Sequence, residues 1–261
     1  MLSTIADYTR LTNDMGKSLT QVAKQPDVSR ETDYYLGHIG KVKTIDEFFK
    51  DYRLYSYAMK AYGLSDMTYA KAFMRKVLTE GTDKTDSFAN TLSDKRYQQF
   101  AETFNFVRYG ATTTIFDRTR QGTVDAYVRQ TLEEDAGARN EGVRLALYFN
   151  RKAGGIKSAY GILADPALLK VVQTALAIPA ATSAMDIDRQ AQMIAARLNV
   201  ADLKDPSKLG KFLSRFASLW DLDNPATMPA SSTLNLFTQP LEAGIGVDVL
   251  ATLQNLKLGG H

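Results

Sequence analysis

Apolar residues recur at intervals of three and four along most of the chain, which is the spacing that places them on one face of a helix. The first stripe lies within residues 2–25 and consists of Ile5, Tyr8, Leu11, Met15, Leu19 and Val22. We predict a helix there that ends at Pro26, because proline interrupts a helix. No segment has the sustained apolar–polar alternation that predicts strands. The predicted fold class is therefore all-α.

Capping residues divide the rest of the pattern into further helices. Residues 44–64 carry a second stripe, and Gly63 supplies its C-terminal stop. Either Ser65 or Asp66 is predicted to cap the next helix, which runs to Gly81.

Three more helices are predicted further along. Ser93 is predicted to cap one of them. A long charged helix is expected from about residue 124 to 152, and Gly137 and Gly142 are positions where it can split. A final amphipathic helix is predicted after Asp248.

The chain also repeats itself. A shift of 114 residues places 44–51 on 158–165, and it places Tyr34 on Tyr148. In the second copy, Asp165 is followed by a proline, which is typical of a cap and first helical turn. We therefore expect Asp51, its counterpart, to begin a new helix as well. At a shift of 112, Phe100 and Phe104 fall on Phe212 and Phe216, and nearby Ser93 falls on Asp205.

These patterns predict one helical domain over residues 1–261. It would contain two tandem repeat units packed together, the first at about 30–107 and the second at about 144–220, followed by a C-terminal segment at 221–261. Amphipathic helices are predicted at both termini. Each terminal stripe has two explanations: packing onto the repeat core, or pairing with a helix of a partner subunit.

Composition excludes several functional classes. The 261 residues are 44% hydrophobic, enough for a core, and 32 basic against 29 acidic residues give a net charge of +3. This excess is too small to indicate nucleic acid or an anionic membrane as the partner. Cysteine is absent, which excludes disulfides, thiolate zinc sites and cysteine nucleophiles but leaves the compartment open, because both a reducing cytosol and a secretion channel allow it.

Neither a Sec signal nor a membrane span is expected. Asp7 and Arg10 interrupt the region where a Sec signal needs an apolar core, and no run approaches about 18 apolar residues.

Two motif fragments resemble ligand loops but lack essential residues. Met15-Gly16-Lys17-Ser18 matches the end of a P-loop, yet Leu11 stands where the first glycine belongs and no strand precedes it. Asp221, Asp223 and Asn224 suggest a calcium loop, but Ala226 and Ser232 replace its required glycine and glutamate. We interpret the first as part of an amphipathic helix and the second as a helix-terminating turn.

No catalytic, cofactor-binding or metal-binding residue is predicted. Adjacent Glu133, Glu134 and Asp135 point in different directions on a helix and are interpreted as a solvated face. The two histidines are His38 and the terminal His261, so a nucleophile paired with a base is not expected, although a site made of carboxylates alone stays open.

Aromatic and basic residues interleave in one segment, as they do on some nucleic-acid surfaces. Its members are Tyr52, Arg53, Tyr55, Tyr57, Lys60 and Tyr62. Because Tyr52, Tyr55 and Tyr62 fall on the core stripe, nucleic-acid binding is not predicted. The single Trp220 is expected at the edge of the core.

The segment 44–64 resembles an uncharacterised family of alphaproteobacterial proteins commonly encoded among flagellar genes. The likeness extends from about Arg30 to Trp220 and includes Leu145-Ala146-Leu147-Tyr148-Phe149. The second copy departs from it, with Pro166 for Tyr52, Leu169 for Tyr55, and Ile178-Pro179 after Ala177 in place of the glycine.

The resemblance implies an association with flagellar assembly or structure and implies no activity. We hypothesise a non-enzymatic flagellum-associated protein that binds other proteins, located in the flagellum or exported without a Sec signal. The alternatives are a cytoplasmic regulator or export chaperone of flagellar proteins, and an enzyme that uses carboxylates alone. The sequence leaves the partner and the oligomeric state open.

Overall fold

The computed structural model describes residues 3–225. Within this range the chain forms α-helices, short 3₁₀-helices and loops, and no β-strand. The predicted all-α fold class is confirmed. No helix within these residues is both long and apolar enough to cross a membrane.

Fifteen α-helices are formed by residues 3–225. The first eight are α1 (Thr4–Asn13), α2 (Met15–Ala23), α3 (Pro26–Ile39), α4 (Ile45–Lys50), α5 (Tyr52–Ala61), α6 (Lys71–Glu80), α7 (Phe88–Thr91) and α8 (Lys95–Thr103). The others are α9 (Phe106–Tyr109), α10 (Gln121–Arg139), α11 (Glu141–Ala153), α12 (Ala159–Leu163), α13 (Pro166–Ala175), α14 (Ile187–Ala195) and α15 (Pro206–Asp223). The 3₁₀-helices are Ser65–Met67, Gly110–Ile115, Asp117–Thr119, Ala180–Ala184 and Val200–Lys204.

Helices α10 and α11 pack against each other, and several other helices pack against them. Helix α10 also contacts α5 and α2, while α11 contacts α13, α15 and α1. Helix α1 lies against both α11 and α15, so the beginning of the chain packs beside its last described helix.

The N-terminal stripe is carried by two helices, so the prediction of a single helix was wrong. The side chain of Asp14 accepts a hydrogen bond from the backbone N–H of Lys17 (2.9 Å) and thereby caps α2. Local side-chain bonding of this kind competes with helix continuation. Tyr8, Leu11 and Val22 are buried, so this stripe packs onto the core; the C-terminal stripe lies outside the described residues.

Two predicted helix starts were also wrong. Residues Ser65–Met67 form a 3₁₀ turn, and α6 begins only at Lys71, without a side-chain cap. Helix α8 is capped by Asp94 rather than Ser93, because the Asp94 carboxylate accepts from the backbone N–H of Arg96 (2.9 Å) and also holds its guanidinium (2.7 Å).

Other predicted boundaries are confirmed. Asp51 caps α5 by accepting from the N–H of Leu54 (3.0 Å). The long charged helix splits at Asn140, between the two predicted glycines, and the Asn140 side chain accepts from the N–H of Gly142 (2.9 Å). Helix α15 continues past Trp220 to Asp223, and the remainder of the segment 221–261 lies outside the described residues.

Segments related by the shift of 114 residues have the same local structure. Helices α5 and α13 begin and end at equivalent positions. The Tyr34 hydroxyl donates to Asp51 (2.9 Å), just as Tyr148 donates to Asp165 (2.6 Å).

The two segments also share a backbone conformation with positive φ at equivalent positions. Gly63 has φ +69°, and its counterpart Ala177 has φ +50°, although a Cβ atom disfavours that region. In both copies the next residue closes the same hydrogen bond, from Leu64 to Met59 and from Ile178 to Gln173. The division of the whole chain into two repeat units stays a prediction.

A buried group of polar residues joins α1, the α10–α11 turn and α15. The backbone N–H of Thr4 donates to the Asp221 carboxylate (3.0 Å), and the Thr4 hydroxyl donates to it as well. The Asn140 amide donates to the same hydroxyl (3.0 Å). The carboxylate lies at the N-terminus of α1, where the helix dipole favours negative charge.

Beside this group, Trp220 packs over Gly142. A Cβ atom added at Gly142 would lie 2.5 Å from Cδ1 of Trp220 and 2.9 Å from Cγ2 of Thr4. The close approach of α11 and α15 therefore requires a glycine at this position. Trp220 is buried at 7% exposure, which agrees with its predicted place at the core edge.

We predict that Gly142→Ala lowers the free energy of unfolding by about 1–3 kcal/mol, because the new methyl group overpacks a filled contact. Gly37→Ala in α3 is the matched control, since no atom lies within 4 Å of its added Cβ. That control should raise stability by about 0.5–1 kcal/mol through the helix preference of alanine. Urea unfolding of both variants measures the difference, and equal midpoints would contradict the packing argument.

Candidate interaction surface

The acidic triplet 133–135 is not the solvated face that was predicted. Glu133 is buried at 2% exposure and pairs with Arg151 on α11 (2.7 Å) and with Arg129 on its own helix (3.3 Å). Glu134 pairs with Lys60 on α5 (3.2 Å), and Asp135 accepts from the amide of Gln25 (3.1 Å). Each carboxylate thus connects α10 to another part of the chain.

The residues considered for catalysis are engaged in structural contacts. His38 stacks on Tyr34 with ring centroids 4.0 Å apart, and its Nδ1 lies 2.7 Å from the Tyr34 carbonyl oxygen. Lys17 and Ser18 lie in α2, whose Ser18 hydroxyl donates to the Leu11 carbonyl (2.9 Å). Residues 3–225 contain no group of three or more potential metal-ligating side chains.

The interleaved aromatic and basic segment does not form a basic surface. Arg53 pairs with Glu31 (2.8 Å), and Lys60 pairs with Glu134. Tyr55 is buried, but Tyr52 is 56% exposed, so its assignment to the core stripe was wrong. Because Asp51 starts a new helix, Tyr52 occupies the first position of α5 and leaves the stripe of α4.

Exposed apolar side chains gather on a different part of the chain. Val107 is 52% exposed, Ile115 is 58% exposed and Phe116 is 36% exposed. Val107 lies in α9, Ile115 ends the 3₁₀-helix that follows it, and Phe116 comes directly after that helix. Together with Tyr109 and Arg118 they define what we call the apolar–arginine surface.

Buried threonines explain why these apolar residues face outward. Thr113, Thr114 and Thr119 are fully buried. Each hydroxyl donates to a backbone carbonyl: Thr113 to Gly110 (2.8 Å), Thr114 to Val42 (2.7 Å), and Thr119 to Thr113 (2.8 Å). With the threonines anchored inward and their hydrogen bonds satisfied, the adjacent Ile115 and Phe116 are directed to solvent.

Two glycines shape the backbone around this surface. Gly81 has φ +63° and ψ −148°, and Gly110 has φ +51° and ψ −133°, a region that is essentially restricted to glycine. A Cβ atom at Gly81 would also lie 3.3 Å from Oδ1 of Asn105. The buried Asn105 side chain caps α9 by accepting from the N–H of Arg108 (2.9 Å) and donates to Asp83 (3.1 Å).

Arginine side chains lie over the aromatic rings of the surface. The guanidinium carbon of Arg118 lies 4.5 Å from the Tyr109 ring centroid and 4.9 Å from that of Phe116. The two rings meet edge to face at 5.0 Å. Arg108 pairs with Asp83 (2.7 Å). Hydrogen bonds from Arg108 and then Arg118 lower the pKa of Tyr109 below its ordinary value.

A polar cavity of about 190 Å³ adjoins Arg118. It is lined by Thr82, Gln98, Glu102, Asn105, Arg108, Tyr109 and Arg118. Arginine, tyrosine and exposed apolar side chains are typical of the residues that dominate protein–protein binding energy.

Sequence reasoning did not identify this surface. The signal was present in Thr112-Thr113-Thr114-Ile115-Phe116, where polar residues precede apolar ones between Gly110 and Arg118. However, a short loop has no helical period that shows which side chains are buried.

The pKa of Tyr109 provides a test of the arginine geometry. We expect Tyr109 to ionise at lower pH than an ordinary tyrosine, because neighbouring guanidinium groups stabilise the phenolate. Arg118→Gln should raise the pKa of Tyr109, whereas Arg75→Gln, which removes a guanidinium over Phe49, should leave it unchanged. NMR titration of ¹³C-labelled tyrosine measures both; an unchanged Tyr109 pKa in Arg118→Gln would contradict the geometry.

The buried ion pairs of Glu133 provide a second test. Glu133→Gln should lower the free energy of unfolding by about 1–3 kcal/mol, because it leaves two arginine charges without their buried partner. Glu141→Gln is the control, since its ion pair with Arg144 is exposed and should contribute less than about 1 kcal/mol. Urea unfolding that shows equal losses for the two variants would disprove a structural role for Glu133.

Comparisons with known proteins found a family profile and a similar solved structure. A sequence profile of the family described as "Protein of unknown function (DUF1217)" matches residues 61–209, more than half of the chain. An X-ray structure of a structural genomics target from Agrobacterium tumefaciens is 51% identical in sequence, with a TM-score of 0.78. The similarity covers 85% of this chain and 94% of that one. No functionally curated protein matches.

The profile falls within the range of residues 30–220 over which the sequence resembles its relatives. A solved relative from an alphaproteobacterium agrees with the predicted origin of the family. The chain belongs to the DUF1217 family of proteins of unknown function.

Proposed function

We propose that this chain is a non-enzymatic, flagellum-associated protein that binds other proteins through the apolar–arginine surface. The observation that carries the binding role is the exposure of Val107, Ile115 and Phe116 on neighbouring elements, with Arg118 lying over Phe116 and Tyr109. Exposed apolar side chains clustered with arginine and tyrosine gain most from being covered by a partner.

The flagellar part of the proposal is supported by the resemblance of residues 44–64 to proteins encoded among flagellar genes. The absence of cysteine is compatible with export through the flagellar channel. A cytoplasmic regulator or export chaperone of flagellar proteins is the alternative, because it would use the same kind of surface. The two differ in where the protein is found.

Location and motility test this proposal together. We expect the tagged protein in purified flagella or culture supernatant of a motile host, and its loss there when flagellar export is disabled. Deletion of the gene should impair motility or filament assembly. Retention in the cytosol would favour the regulator or chaperone, and normal motility and filaments in the deletion strain would overturn the flagellar role.

Surface variants connect the phenotype to the proposed contact. Complementation with Ile115→Asp should restore motility less well than the natural gene, because a charge at the centre of an apolar contact must be desolvated. Tyr69→Asp is the control, since Tyr69 is 81% exposed outside this surface. Equal restoration by both, at equal unfolding midpoints, would exclude the apolar–arginine surface as the contact.

A further inference from the structure

We propose that the cavity beside Arg118 binds the carboxylate of an aspartate or glutamate in a partner protein, within a segment whose neighbouring side chains are apolar. This inference rests on the proposed function, because it specifies the chemistry of the segment that the apolar–arginine surface would contact.

The first argument comes from the other arginines that stack on aromatic rings. Five such arginines occur within residues 3–225. Four of them also hold a carboxylate: Arg53 with Glu31, Arg75 with Asp46, Arg108 with Asp83, and Arg151 with Glu133. In the described part of the chain, only Arg118 in this group lacks an ion pair.

Stacking makes Arg118 suitable for a carboxylate from outside. The Arg118 guanidinium lies near two aromatic rings and donates a hydrogen bond to Tyr109. Because a guanidinium carries five N–H donors in a planar fork, others remain for the two oxygens of a carboxylate. The rings also restrict the arginine rotamers before binding, so less side-chain entropy is lost when the ion pair forms.

The cavity limits the charge of its occupant. Glu102 contributes to the wall together with the amide side chains of Gln98 and Asn105. Glu102 would repel a multiply charged anion more strongly than a single carboxylate. A carboxylate that belongs to a peptide also brings backbone N–H groups, which can donate hydrogen bonds to Glu102. The volume of about 190 Å³ suits one short acidic side chain.

The apolar rim favours a protein segment over a free small anion. Phe116 lies against Arg118, and Val107 and Ile115 are exposed on α9 and the 3₁₀-helix that packs against it. An isolated carboxylate ion would leave all three in water. A segment with apolar residues next to its acidic one would bury them at the same time as it forms the ion pair.

A pair of short peptides tests the inference directly. The probes are acetyl-Ala-Leu-Glu-Phe-Ala-amide and the same peptide with glutamine in place of glutamate, titrated into the full chain. Binding is followed by NMR through the Ile115 methyl groups and the arginine Nε–Hε signals. We expect the glutamate peptide to shift Ile115 and Arg118 saturably, and the glutamine peptide to bind at least about tenfold more weakly.

Variants assign the effect to Arg118. Arg118→Gln should weaken the glutamate peptide by a similar factor of about ten, whereas Arg75→Gln should leave its affinity unchanged. The inference is overturned if neither peptide shifts these signals, if both bind equally, or if Arg118→Gln binds like the natural chain. Sodium acetate that binds as tightly as the peptide would show a small-anion site and would overturn docking of a protein segment.

The outcome is distinguishable from failure of the proposed function. If the peptides fail but Ile115→Asp impairs motility, the carboxylate chemistry is wrong and the protein contact stands. Normal motility of the deletion strain would remove the flagellar role whatever the peptides show.

Discussion

The buried hydrogen bonds among Thr4, Asn140 and Asp221 hold together the parts of the chain that are farthest apart in sequence. Thr4 begins α1, Asn140 separates α10 from α11, and Asp221 lies near the end of α15. None of these polar groups could be buried alone without losing its hydrogen bonds to water. Their mutual satisfaction fixes where α1 and α15 meet the α10–α11 turn, and the glycine at 142 lets Trp220 approach that turn closely.

The buried charge between α10 and α11 is likewise satisfied by partners within the chain. Glu133 is tolerated in the core because Arg151 and Arg129 supply donors to its carboxylate. Removal of either charge would leave the other buried without its partner, and the pair with Arg151 joins α10 to α11. As a result, the acidic triplet 133–135, which the sequence predicts to be solvated, connects α10 to other parts of the chain.

At the apolar–arginine surface, polar side chains are buried and apolar side chains are exposed. Threonines are buried because carbonyl groups accept their hydroxyls, and isoleucine and phenylalanine are exposed because the anchored backbone turns them outward. In the function proposed above, a partner protein would cover Ile115 after folding. In the same proposal, the Arg118 guanidinium, which lies over Tyr109 and Phe116, would give that contact a preference for negative charge.

Periodicity and capping chemistry in the sequence determined the helical class, the start of α5 at Asp51 and the split near Asn140. They also determined the matching segments around Asp51 and Asp165. Each of these features depends on neighbours within a few residues. The break at Asp14 was missed because the helical pattern continues across a local side-chain hydrogen bond. The cap at Asp94 was missed because the neighbouring Ser93 is also a capping residue. The partner of Glu133 lies on the next helix, the partner of Thr4 lies over two hundred residues away, and the outward turn of Ile115 depends on a carbonyl at Val42. The tertiary structure alone decided these features, since burial and hydrogen bonding between distant segments leave no period in the sequence.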